Sequence, residues 1–146
     1  MLVARGMASS ATYDALRTLL ANAMVGYPVL RWEDVDPDSE QSGLPFFALE
    51  DGLATESADS IGSPPVHCLR EEGEMLIHVF TASSENLETT RSLGDQARAA
   101  LRYKKVLTAV GWLETRNAGP PMQEFVNDGL WSSMTVPVDY VLHFKE

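Results

Sequence analysis

The sequence predicts an α+β fold, in which two helices pack on a mostly antiparallel sheet of about five or six strands. Three stretches indicate this class. Residues 73–82 have apolar side chains on both alternating faces, and residues 134–144 alternate apolar with mostly polar side chains, so both are predicted strands. Residues 85–103 repeat apolar side chains at three- and four-residue spacing, which predicts an amphipathic helix.

The central strand leads directly into the longer helix. Met75, Ile77 and Val79 fall on one face of residues 73–82, and the other face is also largely apolar, so we expect burial on both sides. Gly94 lies inside the helix that follows, where glycine costs about 1 kcal/mol relative to alanine. This position therefore predicts a close approach between the helix and a strand.

The remaining elements follow from the same two periods and from turn residues. Residues 11–24 form a predicted first helix that ends before Gly26. A turn at residues 71–73 is predicted to join the central strand to the strand before it as a hairpin. Four further strands are predicted at residues 29–32, 44–49, 66–70 and 110–114.

The closing strand has a distinct core face. The alternate residues of that face are Met134, Val136, Val138, Tyr140, Leu142 and Phe144. We expect the opposite face to be largely in contact with water. Pro137 lacks a backbone donor, which predicts that this strand is an edge strand or is bulged at that point.

Two long polar stretches, residues 50–65 and 116–129, are predicted loops. Loops of this length are uncommon within compact domains and are often functional. We expect residues 50–65 to be mobile in the free subunit and to become ordered against a partner. The predicted partner contacts are four apolar residues in or beside these loops, Leu53, Ile61, Phe125 and Trp131.

Composition sets limits on the class of protein. A chain of 146 residues with 45% hydrophobic residues can bury one core, so we expect a single domain over residues 1–146, with residues 1–8 flexible. The net charge of −10 argues against a protein that grips nucleic acid by its phosphates. No apolar run approaches the roughly 20 residues of a membrane span, so no membrane partner is expected. The single cysteine, Cys68, excludes an internal disulfide.

The three histidines do not predict a catalytic or metal site. His67, His78 and His143 are far apart in sequence, and none has a second histidine or a carboxylate at the spacing of a zinc site. A structural histidine with satisfied hydrogen bonds is the better interpretation for each of them.

Other chemical motifs fail as well. The alternating aspartates at 34, 36 and 38 are similar to the start of a calcium loop, but position twelve of that loop is Pro45 instead of a glutamate. Ser83 and Ser84 lie in a strand-to-helix turn without the glycines of a nucleophile elbow. We therefore expect no catalytic residue, no cofactor and no metal, and a protein that works by contact.

The order of the predicted elements forms a pattern over nearly the whole chain. It consists of a capped first helix, a short strand carrying Trp32, the Leu44-Pro45-Phe46-Phe47 strand, the strand at 73–80 running into the helix at 85–103, and a closing strand at 131–144. This order resembles that of the tail terminator, or tail completion, proteins of long-tailed bacteriophages. The likeness depends on length, element order and apolar runs, without a diagnostic motif.

The resemblance implies a structural virion protein that is not an enzyme. Members of that family form a ring, usually of six copies, at the head-proximal end of the tail tube. The implied partners are other copies of the chain, the tail tube protein and a head-tail connector or stopper protein. DNA passes through the channel of such a ring without specific binding, and assembly takes place in the host cytoplasm.

The acidic composition has two interpretations in such a ring. Negative channel walls would repel the phosphates of passing DNA, whereas charge on the outer surface would only keep the protein soluble. Other classes of protein remain open. A neck or head-completion protein would have a similar size and would also form rings, and a small α+β ligand-binding domain or enzyme would need a pocket beside the sheet.

Overall fold

The computed structural model describes residues 5–6, 8–35, 45–58, 68–82, 87–124 and 131–145. Two helices, α1 (Ser10–Ala23) and α2 (Leu87–Leu101), pack on one mostly antiparallel sheet. The strands are β1 (Arg5–Gly6), β2 (Val29–Arg31), β3 (Phe46–Ala58), β4 (Cys68–Ala82), β5 (Lys105–Leu107), β6 (Gly111–Ala118), β7 (Met122–Glu124) and β8 (Trp131–Lys145). The predicted α+β class is confirmed.

Six strands follow one path through the sheet, in the order β1-β3-β4-β8-β6-β5, and every pair along that path is antiparallel. The short strand β2 adds to β3 in parallel, and β7 adds to β8. A 3₁₀ turn, Trp32–Asp34, follows β2. Along this path, β1 and β2 therefore lie at one end of the sheet and β5 lies at the other.

Both helices cover the same face of the sheet. Fully buried side chains from α1 and α2, including Leu16, Leu20 and Leu101, pack in one cluster with the inward residues of β4 and β8, such as Ile77 and Val138. This large apolar cluster is the main source of stability, because each fully buried aliphatic side chain contributes about 1.5 to 3 kcal/mol.

A smaller cluster lies on the opposite face of the sheet. Phe46 and Phe80 are cross-strand neighbours whose rings stack with centroids 4.8 Å apart. The ring of Trp32 lies over this region, 4.4 Å from the ring of His78. The central strand β4 is thus covered on both faces, as its sequence predicts.

The close approach expected at Gly94 exists, but its main partner is different. A Cβ atom built on Gly94 would lie 3.0 Å from Cγ of Pro121 and 3.8 Å from Val136. The helix therefore packs most tightly against the segment that precedes β7, and only secondarily against β8. Sequence spacing shows that a helix residue must be small, but it does not show which segment comes close.

The predicted loop at residues 50–65 is wrong over its first nine residues, which continue β3 to Ala58. This polar segment extends as a strand because β1 pairs with it on one side and β4 on the other. A break in register between Asp51 and Ala54 marks an irregularity in the strand. Residues 59–65 of that prediction lie outside the described residues, as do 66 and 67.

The predicted hairpin turn at residues 71–73 is also wrong, because Cys68–Ala82 form one continuous strand. Glu71 is buried there and accepts hydrogen bonds. Glycine is needed at position 73, because a Cβ atom there would lie only 2.7 Å from the hydroxyl oxygen of Tyr140. The Glu-Glu-Gly sequence therefore serves close packing within the strand, and no turn forms there.

The second predicted loop, residues 116–129, is replaced over part of its length by regular structure. Its first three residues, 116–118, complete β6, and Met122–Glu124 form β7. Pro120 and Pro121 lie between these strands, outside helix and strand, as predicted. Residues 125–129 lie outside the described residues.

The closing strand β8 is confirmed, but it is not an edge strand. It lies between β4 on one side and both β6 and β7 on the other. It pairs with β4 without a break at Pro137, and the nearby break in register has its extra residue in β6, between Thr115 and Ala118. Pro137 is tolerated because its carbonyl accepts from the amide of Gly119 at 2.8 Å, at the junction between β6 and β7. In an antiparallel strand, the N–H and C=O groups of one residue point to the same side. The N–H that Pro137 lacks would therefore point to the junction between β6 and β7, where no strand pairing is interrupted by its absence.

The face of β8 that was expected to contact water is partly buried. Thr135 and Val141 are 3% and 2% exposed, although Asp139 between them is exposed. Strand alternation alone therefore does not predict the burial of Thr135 and Val141.

Candidate functional site

The structure places only one of the four predicted contact side chains. Leu53 is 64% exposed at the irregularity in β3, in a strand and not in a loop. The backbone of Trp131 begins β8 opposite Ala82, but its side chain is outside the described part of the chain. Ile61 and Phe125 lie outside the described residues altogether. A contact site made by these four residues therefore stays a prediction.

A different group of exposed apolar residues does cluster. Among the described residues, eight large hydrophobic side chains are exposed, and four of them fall within residues 103–112. Tyr103, Leu107, Val110 and Trp112 are between 47% and 69% exposed. With Lys104 and Lys105 they form what we call the hairpin patch, since they belong to the β5–β6 hairpin and the turn before it. Such a concentration of exposed apolar side chains is typical of interaction surfaces.

The two strands of the hairpin sort their side chains between core and solvent. Leu107 pairs across the strands with Trp112, and Val106 pairs with Leu113. Leu113 is fully buried in the main core. Because cross-strand partners point to the same face, Leu107 and Trp112 share the face away from the core.

Thr108 fixes the turn between these strands. Its amide donates to the carbonyl of Gly111 at 2.8 Å, and its hydroxyl donates to the same carbonyl at 2.7 Å. Its Oγ1 also accepts from the amide of Gly111 at 3.1 Å. A Cβ atom on Gly111 would overlap the backbone carbonyl of His143 in β8, so glycine is required there. The hairpin is thus held firmly against the sheet.

The hairpin patch is positively charged in a negatively charged protein. Residues 98–116 contain five of the eleven lysines and arginines of the chain and only one acidic residue, Glu114. Lys105 Nζ lies 5.0 Å from the centre of the Trp112 ring, and it lies 3.8 Å from Glu114 Oε1. The guanidinium of Arg102 lies 5.5 Å from the centre of the Tyr103 ring. Cations and aromatic faces therefore alternate on this surface.

Tyr103 has an unusual backbone conformation. Its φ of +52° lies in the left-handed region, where a non-glycine residue costs about 1 to 2 kcal/mol. The position follows the end of α2, where glycine is the common residue. The amide of Tyr103 donates to the carbonyl of Arg116 at 3.1 Å, which holds this conformation. The chain thus presents an exposed aromatic ring at a position where glycine would fit with less strain.

The other end of the sheet is acidic. We define the acidic edge as Asp14, Glu33, Asp34, Glu50 and Asp51, which lie on α1, the 3₁₀ turn and β3. A groove of about 180 Å³ opens here, and its lining includes Asp14, Glu33 and Asp51. One cation, Arg31, also lines the groove and lies 3.5 Å from Asp14.

Asp51 shows that the acidic edge is not neutralised from within. Burial raises the pKa of the Asp51 carboxyl above its ordinary value, and the charges of Glu33, Glu71 and Glu50 raise it further. Its buried Oδ1 atom has no hydrogen-bond partner among the described residues. The Asp51 carboxyl therefore lies in a negative field, which the backbone hydrogen bond from Ala8 only partly offsets.

Glu71 forms a buried polar centre beside this edge. It accepts hydrogen bonds from the amide of Ser9 at 3.3 Å, from Thr12 Oγ1 at 3.1 Å and from the hydroxyl of Tyr140 at 2.8 Å. Burial, then the hydrogen bond to Glu71, raises the pKa of Tyr140. These bonds tie the start of α1 to the sheet, which is a structural role.

His78 has partners at both ring nitrogens, as a structural histidine requires. Nδ1 lies 2.9 Å from Thr135 Oγ1, and Nε2 lies 3.2 Å from Glu50 Oε1. The order of hydroxyl, imidazole and carboxylate is similar to that of a hydrolase triad. However, Thr135 is only 3% exposed, so a substrate carbonyl does not reach its hydroxyl.

A second groove lies between α1 and the turn of the β5–β6 hairpin. Its volume is about 400 Å³, it is open to solvent, and its lining includes Ala15, Leu19, Val106 and Leu107. Among the described residues, no group of three or more His, Cys, Asp and Glu side chains is arranged to hold a metal ion. Within the same part of the chain, neither helix is long and apolar enough to cross a membrane.

Sequence reasoning missed the hairpin patch, although its residues carried a signal. Lys104 and Lys105 follow the helix, where cations favourably face its negative end, and that role was sufficient to explain them. The signal that was missed is the closeness in sequence of Tyr103, Lys104 and Lys105 to the apolar residues Leu107 and Trp112. Comparison with known proteins identifies no family, since no family model matches the sequence and no curated protein is significantly similar to it.

Proposed function

We propose that this chain is a structural subunit of a long-tailed bacteriophage virion, a tail terminator that forms a ring at the head-proximal end of the tail tube. The ring ends polymerisation of the tube and offers a surface to the head-tail connector or stopper protein. It contains several copies of the chain, with six as the expected number. The subunit performs no chemistry, and its function lies in its contacts.

The order of elements supports this proposal. Helix α1, the short β2 with Trp32 beside it, the pair β3 and β4, helix α2 and the closing β8 follow one another in the order on which the resemblance depends. Both helices lie on one face of a mostly antiparallel sheet. The described strands also give the sheet two different ends, and a ring built head to tail requires two different patches on each subunit.

The charge distribution is compatible with a DNA channel. The chain carries a net charge of −10 even though residues 98–116 are basic. In the proposed ring, acidic side chains outside the subunit contacts face the channel and repel the phosphates of passing DNA. Specific binding of DNA is not part of the proposed function.

A neck or head-completion protein is the second candidate within the same class, since it would use the same ring architecture against the portal. A ligand-binding domain or enzyme is less well supported. The core side chains around Ile77 and Val138 are fully buried and in contact, and the groove beside α1 is open to solvent.

The test uses purified full-length chain and tail tubes assembled from the tube protein of the same source. Negative-stain images are expected to show closed rings with a central hole, and rings bound to one end of each tube. Addition of the chain during tube assembly is expected to shorten the tubes. Binding to portal rings in place of tube ends would favour the neck protein. A chain that binds neither structure would contradict both assignments.

A further inference from the structure

We propose that the hairpin patch of one subunit binds the acidic edge of a second copy of the same chain, in a head-to-tail contact. The inference deepens the proposed function, because it names the two surfaces that would join neighbouring subunits of the ring. It follows from three observations: the positions of the two surfaces, their charges, and the exposed apolar area of the hairpin patch.

The two surfaces lie at opposite ends of the sheet. The path β1-β3-β4-β8-β6-β5 ends at the β5–β6 hairpin on one side, and β2 extends the other side beyond β3. A surface at each end, different from the other, allows every copy to contact one neighbour with each. This arrangement produces a heterologous contact, which closes into a ring when the rotation between copies permits it.

The charges of the two surfaces are complementary. Lys104 and Lys105 are exposed in the hairpin patch, within a segment that has five cations and one anion. The acidic edge has five carboxylates, with Arg31 as the cation that lines its groove. Burial raises the pKa of Asp51, the backbone hydrogen bond from Ala8 lowers it, and the charges of Glu33, Glu71 and Glu50 raise it further, so a cation from a neighbouring copy would offset part of this repulsion.

The acidic groove also has room and an acceptor for such a cation. Its volume of about 180 Å³ is enough for the end of a lysine side chain. Asp14, Glu33 and Asp51 line this groove, so an ammonium group that enters it meets carboxylates that can accept its hydrogen bonds.

The apolar part of the hairpin patch supplies the remaining contact area. Leu107 and Trp112 share the face away from the core, and Tyr103 is 69% exposed despite its strained backbone. Burial of these side chains against a neighbour contributes through the hydrophobic effect, and tryptophan and tyrosine are common at the centres of interfaces. Since β5 and β2 have only three residues each, side chains contribute more to this contact than strand pairing does.

The experiment measures self-association of the full chain by sedimentation, at about 0.05 M and about 0.5 M salt. The first variant, Leu107→Ser with Trp112→Ser, removes the apolar part of the hairpin patch. The second variant, Glu33→Lys with Asp34→Lys, reverses the charge of the acidic edge. Each variant alone is expected to associate at least about tenfold more weakly than wild type. The wild-type association is expected to weaken at the higher salt concentration.

A mixture of the two variants tests the head-to-tail geometry. The intact patch of the second variant can bind the intact acidic edge of the first, but no further copy can add. The mixture is therefore expected to form a one-to-one dimer. If the second variant still associates like wild type, or if the mixture stays monomeric, the proposed contact is wrong. A wild-type chain that is monomeric at both salt concentrations also overturns it.

Two matched variants serve as controls. Val25→Ser with Met122→Ser removes two exposed apolar side chains outside the patch. Glu88→Lys with Asp95→Lys makes the same change in net charge on the exposed face of α2. Both are expected to associate like wild type, and a loss of association in either control would overturn the assignment of the surfaces. All variants are checked for an unchanged circular dichroism spectrum.

The outcomes separate this inference from the proposed function. If the variants behave as expected but the rings do not bind tail tubes, the contact is correct and the tail assignment fails. If both variants still form rings that end tube growth, the tail assignment is correct and the proposed contact fails.

Discussion

Ionisation of Asp51 opposes folding. The pKa of its carboxyl is raised above the ordinary value of 3.8, first by burial and then by the neighbouring carboxylates. The folded chain therefore binds this proton more tightly than the unfolded chain does. Protonation of Asp51 therefore adds to the free energy of unfolding. This contribution is fully present below about pH 3.8, and it is lost as the pH rises through the higher pKa of the folded state.

Replacement of Asp51 by asparagine should therefore stabilise the subunit at neutral pH. Asparagine retains an oxygen that can accept a hydrogen bond, but it carries no charge. We expect the thermal midpoint to rise by about 1 to 3 °C at pH 7 and the gain to vanish towards pH 3.8. The measurement is thermal denaturation at low protein concentration, with Asp139→Asn at an exposed site as the control. A gain that is independent of pH would contradict this account.

The hairpin patch depends on the close contact between Gly111 and β8. A methyl group at position 111 would overlap the carbonyl of His143, so Gly111→Ala must push β6 away from its partner strand. We expect a loss of about 2 kcal/mol or more, which lowers the thermal midpoint by several degrees. Amide exchange within residues 105–114 should accelerate more than in α2.

Val110→Ala is the matched control for this substitution, since Val110 is the neighbouring residue and its side chain is 51% exposed. It should change the thermal midpoint little. Equal stability of Gly111→Ala and wild type would show that β6 can move away at low cost, and the hairpin would then be less rigid than described.

At the scale of elements, the sequence predicts what local periodicity controls. Helices α1 and α2 are predicted to within about two residues because their apolar stripes and end signals are local. The polar half of β3 is missed because its stability comes from pairing with β1 and β4, which are distant in sequence. Strand propensity depends strongly on such context.

The buried role of Glu71 could not be predicted for a similar reason. Its hydrogen-bond donors include Thr12 and Tyr140, which are 59 and 69 residues away in sequence. Nothing in the neighbouring residues 72–73 distinguishes a buried strand glutamate from a turn glutamate. The hairpin patch was missed for the opposite reason, since each of its residues had a sufficient local explanation.

At the scale of the molecule, the central pairing of β4 and β8 holds the fold together. Val138 lies on β8, is fully buried, and packs within the main core. Val138→Asp places an uncompensated charge there, and we expect a loss of about 4 kcal/mol or more, enough to unfold much of the protein. Val25→Asp, at a position that is 81% exposed, should leave chemical denaturation curves nearly unchanged. A folded Val138→Asp protein with a wild-type curve would mean that β8 is not central to the core.

Average charge is a poor guide to the surface of the whole molecule. The net charge of −10 correctly describes most of the chain, yet the segment 98–116 has a net charge of +4, from five cations and one anion. The separation appears only when the sheet order places this segment at the end away from β2. A polarity of this kind would make the proposed attraction between copies directional.

The junction at Pro137 affects how the chain can change over evolution. Strands β6 and β7 are each aligned with β8 by their own hydrogen bonds, and between them the amide of Gly119 bonds the carbonyl of Pro137. Insertion of a residue within the segment 119–121 would therefore shift neither strand out of register. Such an insertion would instead disturb the contact between Pro121 and Gly94, so helix α2, and not the sheet, limits changes of length at this point.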